Sequence, residues 1–429
     1  MHYEKFQDGT VKCIEDEIPF EVPEGWAWAR LRDICMMSAG KSKSSDQIKS
    51  DPFQGSYPCF GGNGVRGYVD EYNQDGIFSI VGRQGALCGN INIAIGKFYA
   101  TEHAVVTTLF VGIDFKWSNY ILEALQLNNY ATGAAQPGLS VANILNVFVP
   151  VPPTQEQDRI GNNVDKSLKF IEALEQEKID LQKIIIAAKT KILDLAIRGK
   201  LVPQDPNDEP ASVLLERMRA EKEELIKQGK IKHDKKESVI FKGDDNSYYG
   251  IHLPDSWNWA SLREIALSIS DGSHNPPPNN GSDIPLLSAA NINDNSILMN
   301  EISRWITNEE WKIENQRTNI EVGDVLLTIV GSIGRSAVVQ NNNHFALQRS
   351  VAVIKPCLIN PLYLMHIVQS PQIQKWLTDN SKGTAQKGIY LNALSLMIIP
   401  IPPLEEQARI VERIHITYKQ LDLISNALL

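Results

Sequence analysis

The sequence contains few cysteines, and their spacing excludes two common kinds of small domain. Only five occur in 429 residues, and no two have the C-x-x-C spacing. Such an odd, scattered set predicts free thiols in a reducing cytoplasm, with neither a disulfide framework nor a zinc ribbon. The five are Cys13, Cys35, Cys59, Cys88 and Cys357.

Long apolar runs and an excess of positive charge are also missing. No run of about 18 or more apolar residues occurs, and Met1–Cys13 has no apolar signal core, so we expect neither a membrane span nor secretion. The 42 Lys and Arg residues are outnumbered by 51 Asp and Glu residues, and the formal net charge is -9. This balance excludes a uniformly basic, histone-like nucleic-acid binder but leaves open a local basic groove.

The sequence does contain a repeat with a very long period. Residues 21–34 (EVPEGWAWARLRDI) match residues 252–265 (HLPDSWNWASLREI) at seven of fourteen positions. Residues 131–160 match residues 381–410 at eleven of thirty, including G-x-A-Q-x-G and P-x-P-P-x-x-E-Q-x-R-I. The offsets are 231 and 250, so the second copy is 19 residues longer between the shared ends (250 − 231). A repeat of this length predicts two whole domains of one kind.

Between the shared ends, the two copies hold different inserts. Residues 36–130 and 266–380 align poorly with each other. Within them, residues 76–100 and 322–339 are apolar runs punctuated by glycine, which predicts strands and turns. We therefore expect two similar frames that carry two different mixed α/β regions.

Each copy ends in a pattern typical of a long amphipathic helix. Thr154–Gln157 follows two prolines and fits a capping box, which predicts the helix start. Apolar residues then recur at alternating steps of four and three, as in a coiled coil. The stripe must be covered, and the nearest candidate is its own twin, packed antiparallel. The stripe comprises Ile160, Val164, Ser167, Ile171, Leu174, Lys178, Leu181, Ile185, Ala188, Ile192 and Leu195 in the first copy, and Ile410, Ile414, Thr417, Leu421, Ile424 and Leu428 in the second.

The ordered duplication of these motifs resembles the specificity subunit of bacterial type I restriction-modification systems. The P-E-G-W-x-W-x-x-L frame, the IVGRQG and TIVGSIGRSAVV segments, and the helix start P-x-P-P-x-x-E-Q-x-R-I all look like that family. Each short motif alone is weak, but their order, repeated over nearly the whole chain, is specific. The resemblance implies an α+β fold with two tandem pseudo-repeated target-recognition domains, each with a twisted sheet, separated by long antiparallel coiled-coil helices.

The resemblance also implies a domain plan. It predicts a first recognition domain at 1–150 (with a leader at 1–22) and a second at 251–400. We expect a central long helix at 151–200, a helical hairpin and charged linker at 201–250, and a C-terminal helix at 401–429 that pairs with the central helix.

In function, the resemblance implies a non-catalytic subunit of a multisubunit restriction endonuclease and adenine DNA methyltransferase. Each recognition domain would read one half of a bipartite double-stranded DNA site, while the helices set the spacing and dock two methyltransferase subunits. Two restriction subunits can join, and no cofactor is expected. Residues 23–150 carry 9 basic and 10 acidic residues, and 251–400 carry 10 and 12. Because neither region is basic, partner subunits must supply much of the phosphate affinity, while this chain supplies base contacts.

Candidate DNA readers follow from side-chain chemistry. Arginine can donate two hydrogen bonds to guanine, and glutamine or asparagine can pair with adenine. Glycine allows close approach of the backbone. The candidates in the first copy are Lys41 and Lys43 for phosphates, with Asn63, Arg66, Arg83 and Gln84; those in the second are Ser273, His274, Ser332, Arg335, Gln348 and Arg349. The repeated Gln136/Gln386 and Gly138/Gly388 belong to the shared frame, so we interpret them as structural or as subunit-docking residues.

No motif in the sequence predicts catalysis or metal binding. Asn275–Pro278 has proline where the N-P-P-aromatic motif of adenine methyltransferases needs a ring to stack on the flipped base. Gly40-Lys41-Ser42 lacks the first glycine of a phosphate-binding loop, because Cys35 stands there. Two alternatives stay open: a methyltransferase or restriction fusion enzyme, and an inactive scaffold or recombination-cassette relative.

Overall fold

The computed structural model describes residues 2–85, 87–132, 137–231, 247–279, 281–383 and 387–428. It divides into two compact units, Met1–Gln176 and Glu177–Leu429. Both units combine helices with sheets, and each contains one copy of the repeated frame. The predicted α+β class with tandem repeats is therefore confirmed. In the part of the chain that the structure describes, none of the helices combines the length and apolar character that a bilayer crossing requires.

The first unit is centred on one six-stranded sheet. Its strand order is β4-β9-β7-β8-β5-β6, and all neighbours are antiparallel except β5 and β8. The elements are β1 (Tyr3–Lys5), β2 (Val11–Cys13), β3 (Ala27–Arg30), α1 (Leu31–Ile34), β4 (Cys35–Ala39), β5 (Tyr57–Gly61), β6 (Gly64–Val69), β7 (Gln74–Gly82), β8 (Ile91–Ala100), β9 (Ala104–Leu109), α2 (Phe115–Ala124), α3 (Val141–Leu145), β10 (Phe148–Val151) and α4 (Thr154–Ile197), the last of which continues into the second unit.

Most strands of the second unit are divided between two smaller sheets. Their orders are β14-β22-β19-β20 and β18-β15-β21, with β15 and β21 parallel. The elements are α5 (Ala211–Lys227), β11 (Ser247–Tyr248), β12 (Ile251–His252), β13 (Asn258–Ser261), α6 (Leu262–Ile265), β14 (Ala266–Asp271), β15 (Ile284–Leu287), β16 (Ile292–Asn293), β17 (Ser296–Ile297), β18 (Trp305–Ile306), α7 (Asn308–Thr318), β19 (Val325–Thr328), β20 (Ser336–Val338), β21 (Ala346–Leu347), β22 (Val351–Pro356), α8 (Pro361–Val368), α9 (Pro371–Asp379), α10 (Leu391–Ser395), β23 (Ile398–Ile401) and α11 (Leu404–Ala427).

The repeated E-Q dipeptide joins three parts of each frame. The buried Gln157 side chain donates to the Pro152 carbonyl and accepts from the Asp114 backbone N–H, at 2.9 and 2.8 Å. Gln407 makes the equivalent bonds to Pro402 and Asn360, at 3.1 and 2.9 Å. The glutamine thus satisfies a backbone donor and a backbone acceptor that burial would otherwise leave unpaired. Both copies keep this residue because both helix starts need the same two bonds.

The preceding glutamate accepts a hydrogen bond from the first tryptophan of the frame. The Trp26 indole N–H lies 3.2 Å from Glu156 Oε2, and that of Trp257 lies 2.9 Å from Glu406 Oε2. Burial raises the pKa of Glu406, while hydrogen bonds from Trp257 and Gln204 oppose that rise. The W-x-W and E-Q motifs are therefore parts of one structural unit, although more than a hundred residues separate them.

The two long helices pack antiparallel inside the second unit. The Tyr418 hydroxyl of α11 donates to the Lys189 carbonyl of α4 at 3.1 Å, and Lys189 also pairs with Asp422. Glu406, at the other end of α11, accepts from Gln204, which follows α4. Residues near the start of α11 therefore contact the segment that follows α4, and residues farther along α11 contact earlier residues of α4, as in an antiparallel pair. The predicted antiparallel pairing of these helices is confirmed.

The apolar stripe is covered along only part of its length. Ile185 and Ile192 on α4 are buried, as are Ile410 and Ile414 on α11. Farther toward the start of α4, other apolar side chains are exposed: Leu168, Phe170, Ile171 and Leu174. The same sequence pattern thus gives a packed seam and, beyond it, an uncovered apolar surface.

Three further predictions concern the cysteines, the helical hairpin and the charged linker. All five cysteines are free; four are buried and Cys13 is exposed. Helix α5 lies within the region 201–250, for which a helical hairpin and charged linker were predicted. Gly229 just beyond it has a φ of 71°, typical of a helix C-terminus. Most of the predicted charged linker, residues 232–246, lies outside the described residues.

Candidate nucleic-acid interface

Three backbone segments of the first unit are held together by main-chain hydrogen bonds. We call segments 40–42, 83–85 and 101–103 the first cradle. The Gly40 N–H donates to the Ala104 carbonyl and the Lys41 N–H to the Ala100 carbonyl, both at 3.0 Å. The Arg83 N–H donates to the His103 carbonyl at 2.9 Å. Strands β4 and β7 end at these segments and the antiparallel β9 begins there, so the segments lie at one end of the sheet.

The second unit repeats the same arrangement, and we call segments 272–274, 329–331 and 348–350 the second cradle. The Gly272 N–H donates to the Val351 carbonyl at 3.1 Å, and the Ser273 N–H to the Leu347 carbonyl at 2.7 Å. The Ile329 N–H donates to the Ser350 carbonyl at 2.8 Å. These equivalent main-chain hydrogen bonds give a residue-by-residue alignment of the two inserts. The two amino-acid sequences are too different there to give that alignment by themselves.

The two cradles share a backbone but present different side chains. Main-chain bonds hold each cradle, so its side chains can change without loss of the framework. The equivalent pairs are Lys41 and Ser273, Ser42 and His274, Arg83 and Ile329, Gln84 and Val330, Glu102 and Arg349, and His103 and Ser350. The pair Glu102 and Arg349 even differs in sign of charge. Two sites built in this way are suited to read different sequences.

A cavity of about 640 Å³ opens beside the first cradle. Three predicted readers line it, namely Asn63, Arg66 and Gln84. His103 also lines it, and its buried Nδ1 atom has no hydrogen-bond partner. The structure thus brings together two amides, a guanidinium and an imidazole, which are groups that pair with base edges.

The side chains in this cavity are held to different degrees. The Arg66 guanidinium donates to the Ser45 hydroxyl at 2.9 Å, and Asn63 accepts from Asn90 at 3.1 Å. Gln84 and Lys41 are exposed. Arg66 is thereby oriented while its other donors stay available for a ligand.

Lys43 and Arg83 are less accessible than the other candidates of the first unit. The Lys43 ammonium lies 2.7 Å from Glu71, and its side chain is only 9% exposed. The pKa of Lys43 is raised, chiefly by that hydrogen bond. Arg83 Nε donates to the Leu139 carbonyl at 3.3 Å. A phosphate contact by Lys43 would require the Glu71 pair to open.

Four candidates of the second unit lie together at the second cradle. Ser273 and Gln348 form an isolated β-bridge, and the Arg349 N–H donates to the Ser273 carbonyl at 2.9 Å. The Ser273 hydroxyl is buried and donates to Glu314 of α7 at 3.1 Å, so it is engaged within the protein. Exposed side chains at this place are those of His274 and Arg349.

The other two candidates lie on the turn between β19 and β20. Ser332 is exposed, and its carbonyl accepts a hydrogen bond from Thr328. Arg335 is also exposed, and its charge opposes the rise that burial causes in the pKa of Asp294. The turn follows directly from the second cradle, so Ser332 lies next to it in the chain.

The repeated glycines of the frame contribute to the cradles through their backbone. Gly138 forms bridges with Gln84 and Thr132, and Gly388 forms the equivalent bridges with Val330 and Lys382. The structural interpretation of these glycines fits this geometry. Gln136 and Gln386 lie outside the described residues. Among the residues that are described, no group of three or more His, Cys, Asp or Glu side chains is placed to hold a metal ion.

A family model agrees with the repeat. The model for the type I restriction modification DNA specificity domain matches residues 23–183 and 254–428, which together make up more than half of the chain. The chain belongs to this family. Both matches contain one frame and one cradle, so the type I specificity family accounts for both units.

Curated relatives carry the same family name. The EcoprrI type I restriction enzyme specificity subunit of Escherichia coli is 42% identical over 167 residues, covering 38% of this chain and 40% of that protein. The EcoEI specificity subunit of Escherichia coli is 24% identical over 506 aligned residues, covering 99% of this chain and 83% of that protein. The match thus spans less than half the length of the first relative and most of the second.

A solved structure supports the fold. The HsdS subunit from Thermoanaerobacter tengcongensis matches with a TM-score of 0.56 and 17% identity, covering 96% of this chain and 94% of that one. At this identity the likeness concerns the fold alone. The match covers both mixed α/β units and the long helix α4 of the present chain, which is itself a member of the type I specificity family.

Sequence reasoning missed several residues at the two cradles. His103 was not predicted, because a single histidine after a strand has no distinctive pattern. Glu314 and Asp271 were also missed, although they contact the predicted Ser273 and His274, respectively. Arg317, which pairs with Asp271, was missed as well. Helix α7 has no counterpart in the described part of the first unit, so the repeat could not reveal it.

Proposed function

We propose that this chain is the DNA-sequence specificity subunit of a type I restriction-modification complex. It is a non-catalytic subunit, and each unit reads one half of a bipartite double-stranded DNA target. The observation that carries the proposal is the pair of cradles, which have the same backbone bonds but different side chains. A protein that reads one split sequence needs such a pair, because base contacts specify and the two halves differ.

The candidate readers then divide between two roles. Asn63, Arg66 and Gln84 contact base edges of the first half-site, and Arg349 and His274 contact those of the second. Lys41 is placed for a phosphate, since its side chain is exposed at the cradle. For Lys43, Arg83, Ser273, Ser332, Arg335 and Gln348 we keep the same assignment to DNA contact, through either bases or phosphates.

The domain plan follows the same division. We propose recognition domains at 1–150 and 251–400, joined by the central helix region and the C-terminal helix. A rigid helical pair holds two readers at a fixed distance, which a flexible linker cannot do. The helix pairing near Lys189 and Tyr418 supports this role.

The partners are two methyltransferase subunits and two restriction subunits. The exposed apolar surface on α4 at Leu168, Phe170, Ile171 and Leu174 favours a protein partner there, because such patches are costly to leave in water. The net charge of -9 also favours partners that supply phosphate affinity. We place the complex in the cytoplasm, where its DNA lies.

The test is methylome sequencing of cells with and without this chain. Removing the chain should abolish one split adenine-methylation motif. Replacing residues 36–130 with the insert of a relative should change one half-site, and replacing 266–380 should change the other. A motif that survives removal of the chain, or changes in both halves after one replacement, would contradict the proposal.

A further inference from the structure

Helix α7 carries an exposed face that no part of the proposed function yet uses. Its residues Lys312, Ile313, Gln316 and Arg317 are exposed, and their spacing places them on one side of the helix. On the opposite side, Trp311 packs against a small core that includes Ile306. The helix is therefore fixed by one face and presents the other to solvent.

This helix is continuous with the second cradle. It packs against β14 and β21, the strands that lead into the cradle segments. Its Glu314 carboxylate accepts a hydrogen bond from the Ser273 hydroxyl at 3.1 Å. The second cradle and α7 therefore lie side by side.

Asp271 joins α7 to the cradle through two exposed side chains. Its carboxylate lies 2.8 Å from His274 Nε2 and also pairs with Arg317 Nη2. The Arg317 Nε–H donates to the Asp271 carbonyl at 2.9 Å. Asp271 is only 9% exposed, whereas the side chains of His274 and Arg317 are 53% and 50% exposed. One buried carboxylate thus orients two exposed donors.

The fixed guanidinium keeps one edge for a ligand. A guanidinium has five N–H donors in a rigid fork, and Asp271 occupies the Nε–H and one Nη2–H. The two terminal nitrogens still offer a pair of parallel donors, which match O6 and N7 of guanine. Because Asp271 already fixes the Arg317 side chain in the free protein, less conformational entropy is lost when DNA binds.

We infer that α7 is a base-reading helix of the second unit, with Arg317 reading a guanine and Asp271 as its positioning residue. This rests on the proposed function. The major groove is about 12 Å wide and admits a helix. Gln316 suits adenine, Ile313 suits a thymine methyl, and Lys312 suits a phosphate, so the face has the mixture of groups that direct readout requires.

The test uses the complex of this chain with the methyltransferase subunits of its own system. Methylome sequencing gives the target, and competition binding to target duplexes with single base-pair changes gives a profile for each half-site. Arg317→Ala should weaken binding about 10- to 100-fold and abolish discrimination at one G·C pair, with the other half-site unchanged. Arg317→Lys should give the same result, because a lysine keeps the charge but loses the fork.

Two more variants separate reading from folding. Asp271→Asn keeps the size of the side chain but loses its charge, so it should reduce discrimination at that same base pair by less than Arg317→Ala does. Gln316→Ala removes no hydrogen bond within the protein, and it should relax the preference at a neighbouring pair. The matched control is Arg217→Ala on α5, since Arg217 is 52% exposed and paired with Glu209. It should leave both profiles unchanged.

The possible failures are distinct. If the wild-type complex has no split methylation motif, the proposed function fails. The inference fails if the wild-type complex has such a motif but the Arg317→Lys variant discriminates bases as well as the wild type does. It also fails if Arg317→Ala weakens binding to all DNA sequences equally. In either case Arg317 contributes charge alone. Unchanged profiles for both Arg317→Ala and Gln316→Ala also overturn it.

Discussion

Gly40 lies so close to Ala100 that a Cβ atom on the glycine would stand 2.1 Å from the Ala100 carbonyl oxygen. Gly272 has the same relationship to Leu347, also at 2.1 Å. The neighbouring atoms are backbone, so they cannot turn away as the end of a flexible side chain could. Each cradle therefore closes only around a glycine at this position.

We expect Gly40→Ala and Gly272→Ala each to destabilise their own unit by about 1–3 kcal/mol, as overpacking does. In the assembled complex, Gly40→Ala should weaken recognition of the first half-site, and Gly272→Ala should weaken recognition of the second. Unfolding curves and half-site binding profiles measure the two effects. Gly138→Ala is the control, because its nearest neighbour would be 3.7 Å away. Equal tolerance of all three changes would show that the cradles are not rigid.

The helix pairing can be tested with two isoleucines of one helix. Ile414 is fully buried on α11, and Ile424 on the same stripe is 47% exposed. We expect Ile414→Ala to lower the free energy of unfolding by about 2–4 kcal/mol, because it leaves a cavity in the seam. Ile424→Ala should change it by no more than about 0.5 kcal/mol. Urea unfolding followed by circular dichroism compares them, and equal losses would contradict the packing described here.

The hydrogen bond from tryptophan to glutamate should contribute more to stability in the second frame than in the first. Trp257→Phe leaves Glu406 Oε2 without its indole donor in a buried place, which should cost about 1–3 kcal/mol. Trp26→Phe should cost less than about 1 kcal/mol, because Trp26 and Glu156 are only half-buried and water can replace the donor. Thermal unfolding of both variants measures the difference, and a larger loss for Trp26→Phe is the contrary result.

His366 predicts how stability depends on pH. Burial lowers its pKa to about 4, although a hydrogen bond with Gln369 opposes the shift. The folded pKa is below the ordinary value of 6.5, so the unfolded chain takes up the proton first. Stability should therefore fall as the pH drops from about 6.5 to about 4, by at most about 3 kcal/mol.

Replacing His366 should remove that part of the pH dependence. Urea unfolding at pH 7 and pH 4.5 should show a smaller loss for His366→Leu than for the wild type. The control is His252→Gln, since His252 is exposed and should leave the wild-type dependence intact. An unchanged pH dependence in His366→Leu would assign the acid sensitivity to other groups.

The repeat made much of this fold predictable. The match between residues 131–160 and 381–410 predicted equivalent helix starts, and the stripe from Ile410 to Leu421 predicted the antiparallel seam. These features are encoded by local spacing, because a helix puts residues three and four apart on one face. Coverage of the stripe depends on the partner's length, so the exposure of Ile171 could not be read from the pattern.

The geometry of the interface was harder to predict for a physical reason. The cradles are made by main-chain bonds between distant segments, such as Arg83 with His103 and Ile329 with Ser350. Backbone groups are the same in every residue, so these bonds leave no signature in the side chains. The ion pair of Lys43 with Glu71 and the cluster around Asp271 likewise require the folded chain to bring their members together.

The use of main-chain bonds to hold each cradle has an evolutionary consequence. Since the amide and carbonyl groups that close it are common to nearly all amino acids, a mutation at Gln84 or Arg349 alters the chemistry offered to a ligand while the supporting bonds persist. New preferences can then accumulate one codon at a time, without a compensating loss of foldability. Diversification of recognition and maintenance of the scaffold are thereby largely uncoupled in this protein.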